Sequence, residues 1–265
     1  MMSTFRSVVA TSLALATVVV APAAAQRVLP HTAGTRQITV RWLGHAAFEI
    51  TSPGGTRLLV DPFITGNPST PDSLKNLARW EGVHRPSAIL VTHSHDDHSL
   101  DAKAIAQATG APVIGAFDWV NTLHLPAAQG MGGNVGGTFR VGDVTIHMVP
   151  AMHGSVPGGR PVGYVLQFAD GRTLYDTGDT WIFGDMALIQ EMYKPNIILL
   201  NVGGGPYTED PHAAHTAINK YFSPTTIIPM HYGTFPGLAT DRDVRAEFGN
   251  DRRLTVMRPG QTLRF

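Results

Sequence analysis

The chain contains no cysteine. That absence removes thiolate from its possible metal ligands and nucleophiles and excludes a disulfide framework. A chain of 265 residues does not need one, because it is long enough to bury a full hydrophobic core. Net charge is also lacking: 20 basic side chains balance 20 acidic ones, so no basic field for nucleic acid or acidic membranes is present. Charged residues make up 15% of the chain against 43% hydrophobic, which excludes an extended disordered polymer. There is no internal repeat and no low-complexity linker. The apolar run Val8–Val20 is too short for a comfortable membrane span.

What is present at the N-terminus reads as a targeting segment. Arg6 gives a positive start, the apolar run follows, and Pro22-Ala23-Ala24-Ala25 supplies the small residues of a cleavage site. The expectation is a signal peptide over 1–25, a leader over 26–36 and one domain over 37–265. The cleaved protein would be periplasmic or secreted, with no stable membrane insertion.

Beyond the leader, alternating and apolar stretches bounded by turn formers predict strands. They fall at Ile38–Trp42, Ala47–Thr51, Arg57–Val60, Ala88–Val91, Val113–Gly115, Thr138–Val141, Val144–Val149, Val162–Phe168, Thr173–Asp176, Ile197–Leu200, Thr226–Pro229 and Thr255–Met257. Helices are expected at Leu74–Trp80, Asp101–Ala108, Asp118–Leu123, Phe183–Tyr193 and Pro211–Tyr221. Gly130–Gly137 is a glycine-rich stretch between elements. Two packed sheets covered by helices accommodate this order.

The densest chemistry lies in Thr92-His93-Ser94-His95-Asp96-Asp97-His98, directly after the strand Ala88–Val91. His93 and His95, two apart on extended chain, can turn to one side and share an ion. Asp97 and His98 sit where a helix or turn begins and address a second ion beside the first. Imidazole and carboxylate donors suit zinc, with iron or manganese also admissible. Two ions need further ligands. His153, Asp179 and His231 each follow a predicted strand, at positions where distant elements converge on one rim.

The order H-x-H-x-D-H, then His, Asp and His, resembles the metallo-β-lactamase superfamily. Trp42-Leu43-Gly44-His45-Ala46-Ala47-Phe48, Val60-Asp61-Pro62-Phe63, Tyr175-Asp176-Thr177-Gly178-Asp179-Thr180 and Pro229-Met230-His231-Tyr232-Gly233-Thr234-Phe235-Pro236 resemble its metal-dependent hydrolase branch, which includes L-ascorbate-6-phosphate lactonase-like proteins. The likeness spans roughly residues 37 to 262. It implies an α+β fold, a four-layer αββα sandwich with metals at one edge of the two sheets. It implies two Zn²⁺ ions, the first on His93, His95 and His153, the second on Asp97, His98 and His231, with Asp179 bridging. It implies a hydroxide between them as nucleophile, with Asp97 orienting it and carrying a proton to the leaving group.

Together with the targeting segment, the resemblance implies an exported hydrolase acting on a small-molecule ester or lactone, with no nucleic-acid partner. A phosphodiesterase acting on a phosphate diester or phospholipid headgroup is the second reading. A β-lactam hydrolase and a non-catalytic metal-binding protein are the others. The aspartate at 179 and the missing cysteine disfavour a true β-lactamase. Tyr232 is open between donating to a developing oxyanion and packing beside His231. His45 and Asp61 are open between orienting a ligand and pinning loops. His212 and His215 share a helix face, most simply a solvated one. Asn201-Val202-Gly203-Gly204-Gly205 lacks the ending of a P-loop and reads as a turn at the site mouth.

Overall fold

The computed structural model describes residues 37–156 and 158–265. The expected signal peptide, its cleavage point and the leader lie outside the described residues. Among the described residues no helix is long and apolar enough to cross a membrane.

The described residues run through thirteen strands and six α-helices. They are β1 (Thr39–Gly44), β2 (Ala47–Thr51), β3 (Arg57–Val60), β4 (Ala88–Leu90), α1 (Asp96–Ser99), α2 (Ala102–Thr109), β5 (Val113–Ala116), α3 (Phe117–Thr122) and β6 (Gly130–Gly133). Then come β7 (Thr138–Val141), β8 (Val144–Pro150), β9 (Val162–Phe168), β10 (Thr173–Asp176), α4 (Met186–Tyr193), β11 (Ile197–Asn201), α5 (Pro211–Tyr221), β12 (Thr226–Met230), α6 (Asp241–Phe248) and β13 (Thr262–Arg264). One sheet has the order β13-β1-β2-β3-β4-β5-β6, the other β12-β11-β10-β9-β8-β7. Each joins an antiparallel half to a parallel half.

The layers follow from which faces are apolar. In β3, Leu58 and Val60 join the large core that includes Ile146, Tyr164 and Leu166 of the other sheet. Leu59, pointing the opposite way, joins Ile105, Ala106, Trp119 and Val120 of α2 and α3. Residues of α4, α5 and α6, such as Ile189, Ile218 and Phe248, pack with the second sheet. Central strands buried on both faces read as unbroken apolar runs, as β11 does with Ile197-Ile198-Leu199-Leu200. The result is the expected αββα sandwich.

Direction positions the site. β1 is antiparallel to β2, which is antiparallel to β3, and β3 is parallel to β4, so β1, β3 and β4 run the same way. By the same reasoning β8, β10, β11 and β12 run alike. These seven strands deliver His45, Asp61, His93, His153, Asp179, Asn201 and His231 at or just beyond their C-terminal ends. A crevice beyond the carboxyl ends of strands is where open sheets place ligands.

Several expectations need correction. Thr255–Met257 is not a strand: only Leu254 makes a bridge, to Ile227, and the last strand is β13. Leu74–Trp80 forms separate 3-10 turns, Asp72–Leu74 and Leu77–Trp80, and not one helix. Within the glycine-rich stretch lies a strand, β6, whose glycines answer a steric demand. A Cβ on Gly132 would stand 2.8 Å from the Phe117 Cα. Helix α6 was not expected, because only Val244 and Phe248 of it are buried.

The two sheets are tied near the site by polar contacts as well as packing. The buried Tyr164 hydroxyl donates to the carbonyls of Val91 (2.8 Å) and Ile114 (3.1 Å). Val162 N–H donates to Thr92 O at 3.0 Å. Tyr164→Phe strips the donor from both carbonyls and is expected to cost about 1–3 kcal/mol of unfolding free energy. A denaturant midpoint unchanged from wild type would refute this tie.

Candidate metal centre

The loop after β4 bends through Thr92–Ser94, is extended at His95 and is helical from Asp96, so its four donors splay in two directions. His93 Nε2 lies 2.9 Å from His95 Nδ1, and His153 Nε2 lies 3.3 Å from the same atom. On the other side, His231 Nε2 stands 3.7 Å from Asp97 Oδ2. Asp179 Oδ2 lies 3.4 Å from His98 Nε2, 3.6 Å from His153 Nε2 and 3.0 Å from His231 Nε2. The structure therefore brings His93, His95, Asp97, His98, His153, Asp179 and His231 together.

These atoms fit a metal better than each other. Two nitrogens bound to one zinc at 2.0–2.1 Å in tetrahedral geometry stand about 3.3 Å apart. The Nε2 atoms of His98 and His231 are buried and make no properly angled hydrogen bond, despite their closeness to Asp179. Buried polar atoms left so are rare without a partner such as an ion. Overlapping donor groups, each able to hold an ion, comprise His93, His95 and His153; His93, His98 and Asp179; and His45, Asp97, His98 and His231.

A second ring of contacts sets the tautomers. His98 Nδ1–H donates to Asp61 Oδ2 at 2.8 Å, leaving Nε2 for an ion. Asp61 is itself held by the Thr92 N–H and hydroxyl, each at 2.7 Å. The same hydroxyl lies 3.1 Å from His93 Nδ1. Asn201 Nδ2 donates to Asp179 Oδ1 at 2.7 Å, so Oδ2 is turned to the cluster. His45 Nε2–H donates to Asp97 Oδ2 at 3.1 Å, its ring lies 3.8 Å from that of His231, and its carbonyl accepts from His231 N–H at 3.1 Å. Thus His45 and Asp61 both contact ligands and orient them. Such partners tune affinity strongly.

The backbone is forced here. His45, Asp61 and His231 adopt left-handed φ values of 55°, 42° and 66°, which cost free energy for residues other than glycine. Gly203 allows the close approach: a Cβ there would stand 2.4 Å from His231 Nδ1.

Other expectations fare differently. Tyr232 is not with the cluster. Its ring stacks on Trp42 at 5.4 Å and its hydroxyl lies 3.5 Å from Met257 O, on the wall of a separate cavity. The oxyanion role for Tyr232 is therefore corrected to packing: residues 231 and 232 project to opposite sides. His212 pairs with Glu247 at 3.0 Å on the solvated face of α5. Sequence reasoning missed Thr92 and Asn201 as orienting groups. A polar residue ending the apolar run Ile197–Leu200 was the available signal for Asn201.

Electrostatics of the metal-free site follow from burial and pairing. Burial lowers the pKa of His93 and His153, with the charge of Asp179 opposing. Burial also opposes the charge of His231, but the carboxylates of Asp179 and Asp97 together outweigh it and lift the pKa to about 9. Burial resists ionisation of Asp179, yet His231 and His98 hold its pKa well below the usual carboxylate range. Burial, then the charge of His231, pushes His45 down to about 4.

The remaining space above the donors is a cavity of about 410 Å³. Its walls are the donors His95, Asp97, His153, Asp179 and His231, together with Phe63, Asp96, Tyr207, Phe235, Pro236 and Leu238. No lysine or arginine is among them.

Comparison with known proteins accords with this geometry. Residues 39–231 match the family model described as the β-lactamase superfamily domain. The chain belongs to the metallo-β-lactamase superfamily. A UPF0173 metal-dependent hydrolase of Myxococcus xanthus is 43% identical over 256 residues, covering 91% of this chain and 86% of the relative. One from Pyrobaculum arsenaticum is 40% identical over 233 residues, covering 85% and 99%. Among solved structures, Igni18, a metallo hydrolase of Ignicoccus hospitalis, superposes with a TM-score of 0.74 at 32% identity, covering 86% of this chain and 98% of that one. The isothiocyanate hydrolase from Delia radicum gut bacteria shares the fold at a TM-score of 0.66 and 18% identity. This metallo-β-lactamase superfamily member is a metal-dependent hydrolase.

Two outcomes are expected. His45→Ala removes the donor to Asp97 and should weaken metal binding ten- to a hundredfold, whereas His45→Gln, which keeps a donor, should lose less; metal content after dialysis against graded chelator checks both. Second, folding of the metal-free protein takes up a proton on His231 between its ordinary pKa of 6.5 and about 9. That stabilisation is complete below pH 6.5 and lost as pH rises through 9, a change on the order of 3 kcal/mol. Burial, then the charge of Asp61, lifts Asp176 to about 8 and acts in the same direction. The chelated protein should melt at progressively lower temperature from pH 6.5 to 9. A flat or rising profile would contradict the assigned proton.

Proposed function

We propose that this protein is an exported two-zinc hydrolase that cleaves an uncharged small-molecule ester or lactone. The observation that carries the reading is the donor set itself. Seven side chains divide into a three-histidine group and an Asp97–His98–His231 group, and Asp179 Oδ2 lies within 3.6 Å of nitrogens from both. Two divalent ions held by these residues would supply an ionised water near neutral pH and would draw charge from the scissile carbonyl.

The chain's own groups do the rest. Asp179, fixed by Asn201, keeps one oxygen available to both halves of the site. Asp97 lines the cavity, with its side chain 32% exposed. Held by His45, it is placed to take a proton and pass it to the departing alkoxide, so that water adds across the acyl C–O bond and the alcohol leaves neutral. Phe63 and Phe235 exclude water from one side of the cavity.

The cavity wall favours a carboxylic ester over a phosphodiester. A phosphodiester carries a negative charge that superfamily metals alone would have to balance, since no lysine or arginine lines the cavity. Export rests on Arg6, Val8–Val20 and the small residues up to Ala25. The mature protein recovered from the cell envelope should begin at Gln26 by mass spectrometry.

Zinc-loaded protein should hydrolyse simple lactones and esters, and a chelator should abolish the turnover, with zinc restoring it. Turnover of a phosphodiester in place of the esters would move the assignment to the phosphodiesterase reading, and turnover of a β-lactam to that class. Full loading with no turnover of any of them would support a binding role.

A further inference from the structure

The mouth of the metal site is apolar well beyond the cavity. Eleven large hydrophobic side chains are exposed among the described residues. Six of them fall in the segments that carry ligands or line the cavity: Leu100, Met152, Val156, Trp181, Tyr207 and Phe235. Leu100 is two residues after His98, Met152 precedes His153, and Trp181 is two residues after Asp179. Exposed apolar residues scattered singly need no explanation, but a contiguous set at a site mouth marks an interaction surface.

The contacts join part of this set into a wall. Phe63 and Phe235 stand 6.2 Å apart between ring centroids, and both rings abut His45, at 6.1 and 5.5 Å. A Cβ on Gly66 would meet both Phe63 (2.8 Å) and Leu100 (2.9 Å), so these two side chains are neighbours. Phe63, which lines the cavity but is only 6% exposed, thus links Phe235 at the cavity to Leu100 at the surface. On another side, Trp181 N–H donates to Met152 O at 3.0 Å, which holds those two residues together beside His153.

Outside the clustered donors, the one charged side chain lining the cavity is acidic. The cavity has no lysine or arginine, and Asp96, which is not among the clustered donors, makes no ion pair among the described residues. Away from the metal donors, an anionic group entering here meets the Asp96 carboxylate and no lysine or arginine.

The geometry points to an amphiphilic substrate: an ester or lactone bearing an uncharged alkyl chain that outgrows the cavity and lies along the Phe235–Phe63–Leu100 wall, with no anionic group near the scissile bond. This rests on the ester-hydrolase reading for its chemistry, though the chain-binding wall stands apart from it. Each methylene laid on the wall contributes roughly a three- to fourfold gain in affinity when fully buried.

Two arms test it. In the first, the zinc-loaded protein is given 4-nitrophenyl acetate, butyrate, hexanoate and octanoate, and the anionic 4-nitrophenyl succinate. kcat/KM should rise about threefold per methylene, mainly through KM, and the succinate should fall at least tenfold below the butyrate. Phe235→Ala and Leu100→Ser should each flatten the chain-length slope with zinc content unchanged. In the second arm, fluorescence is titrated with N-butyl- to N-octylacetamide. Trp42, Trp80 and Trp119 are buried while Trp181 is exposed at the mouth, so the signal is assigned by its loss in Trp181→Phe. The dissociation constant should fall with chain length. A flat slope in either arm, or preference for the succinate, overturns the inference even if esters are cleaved. A falling dissociation constant with no ester turnover leaves the wall standing and removes the ester-hydrolase reading.

Discussion

Six imidazoles and the two carboxylates of Asp97 and Asp179 are crowded into one partly buried volume, and that crowding is what the rest of the fold must sustain. Donor atoms 3–4 Å apart with no proton suitably placed between them repel or lose hydration. In the metal-free state the conflict is partly settled by protons, with His98 and His231 held charged against Asp179. Metal ions settle it more fully, because they replace those protons with divalent charge at the focus of the donors. The left-handed backbone at His45, Asp61 and His231 is the local cost of aiming side chains at that focus, and the packed sandwich beneath supplies it.

The sandwich can do so because seven strands from two sheets end on the same rim. The candidate ligands lie on α1 or on loops that follow buried strands. The orienting residues are equally buried: Asp61, Thr92 and Asn201 have essentially no exposed surface. Rigid support of this kind fixes ligands to within the tolerance that metal chemistry needs. Further out, Phe63, Tyr207 and Phe235 add apolar walls to the cavity.

Much of this was legible in the sequence. The strands Ala47–Thr51, Arg57–Val60, Val162–Phe168 and Thr173–Asp176 and the helix Pro211–Tyr221 occur with the expected bounds, since apolar runs closed by glycine, proline or aspartate carry a local signal. So did the ligand candidates, which follow strands in the order that the fold brings together. What escaped lacked such a signal. β6 is built of glycines chosen for close approach, which looks like a loop. α6 buries too little to show periodicity, although its Thr240–Asp243 capping box was readable. Tyr232 misled because adjacency to a candidate ligand in sequence says nothing of direction: the chain turns at His231, whose φ is left-handed, and the Tyr232 ring lies on Trp42. The roles of Thr92 and Asn201 depend on partners 31 and 22 residues away, which no local pattern discloses.

The central claim is that these donors form two adjoining metal sites that share Asp179. Anomalous diffraction at the zinc edge from zinc-loaded crystals tests it most directly. The account requires two peaks, one among His93, His95 and His153 and one among Asp97, His98 and His231, with Asp179 between them. A single peak at full loading, or peaks bound elsewhere, would contradict it.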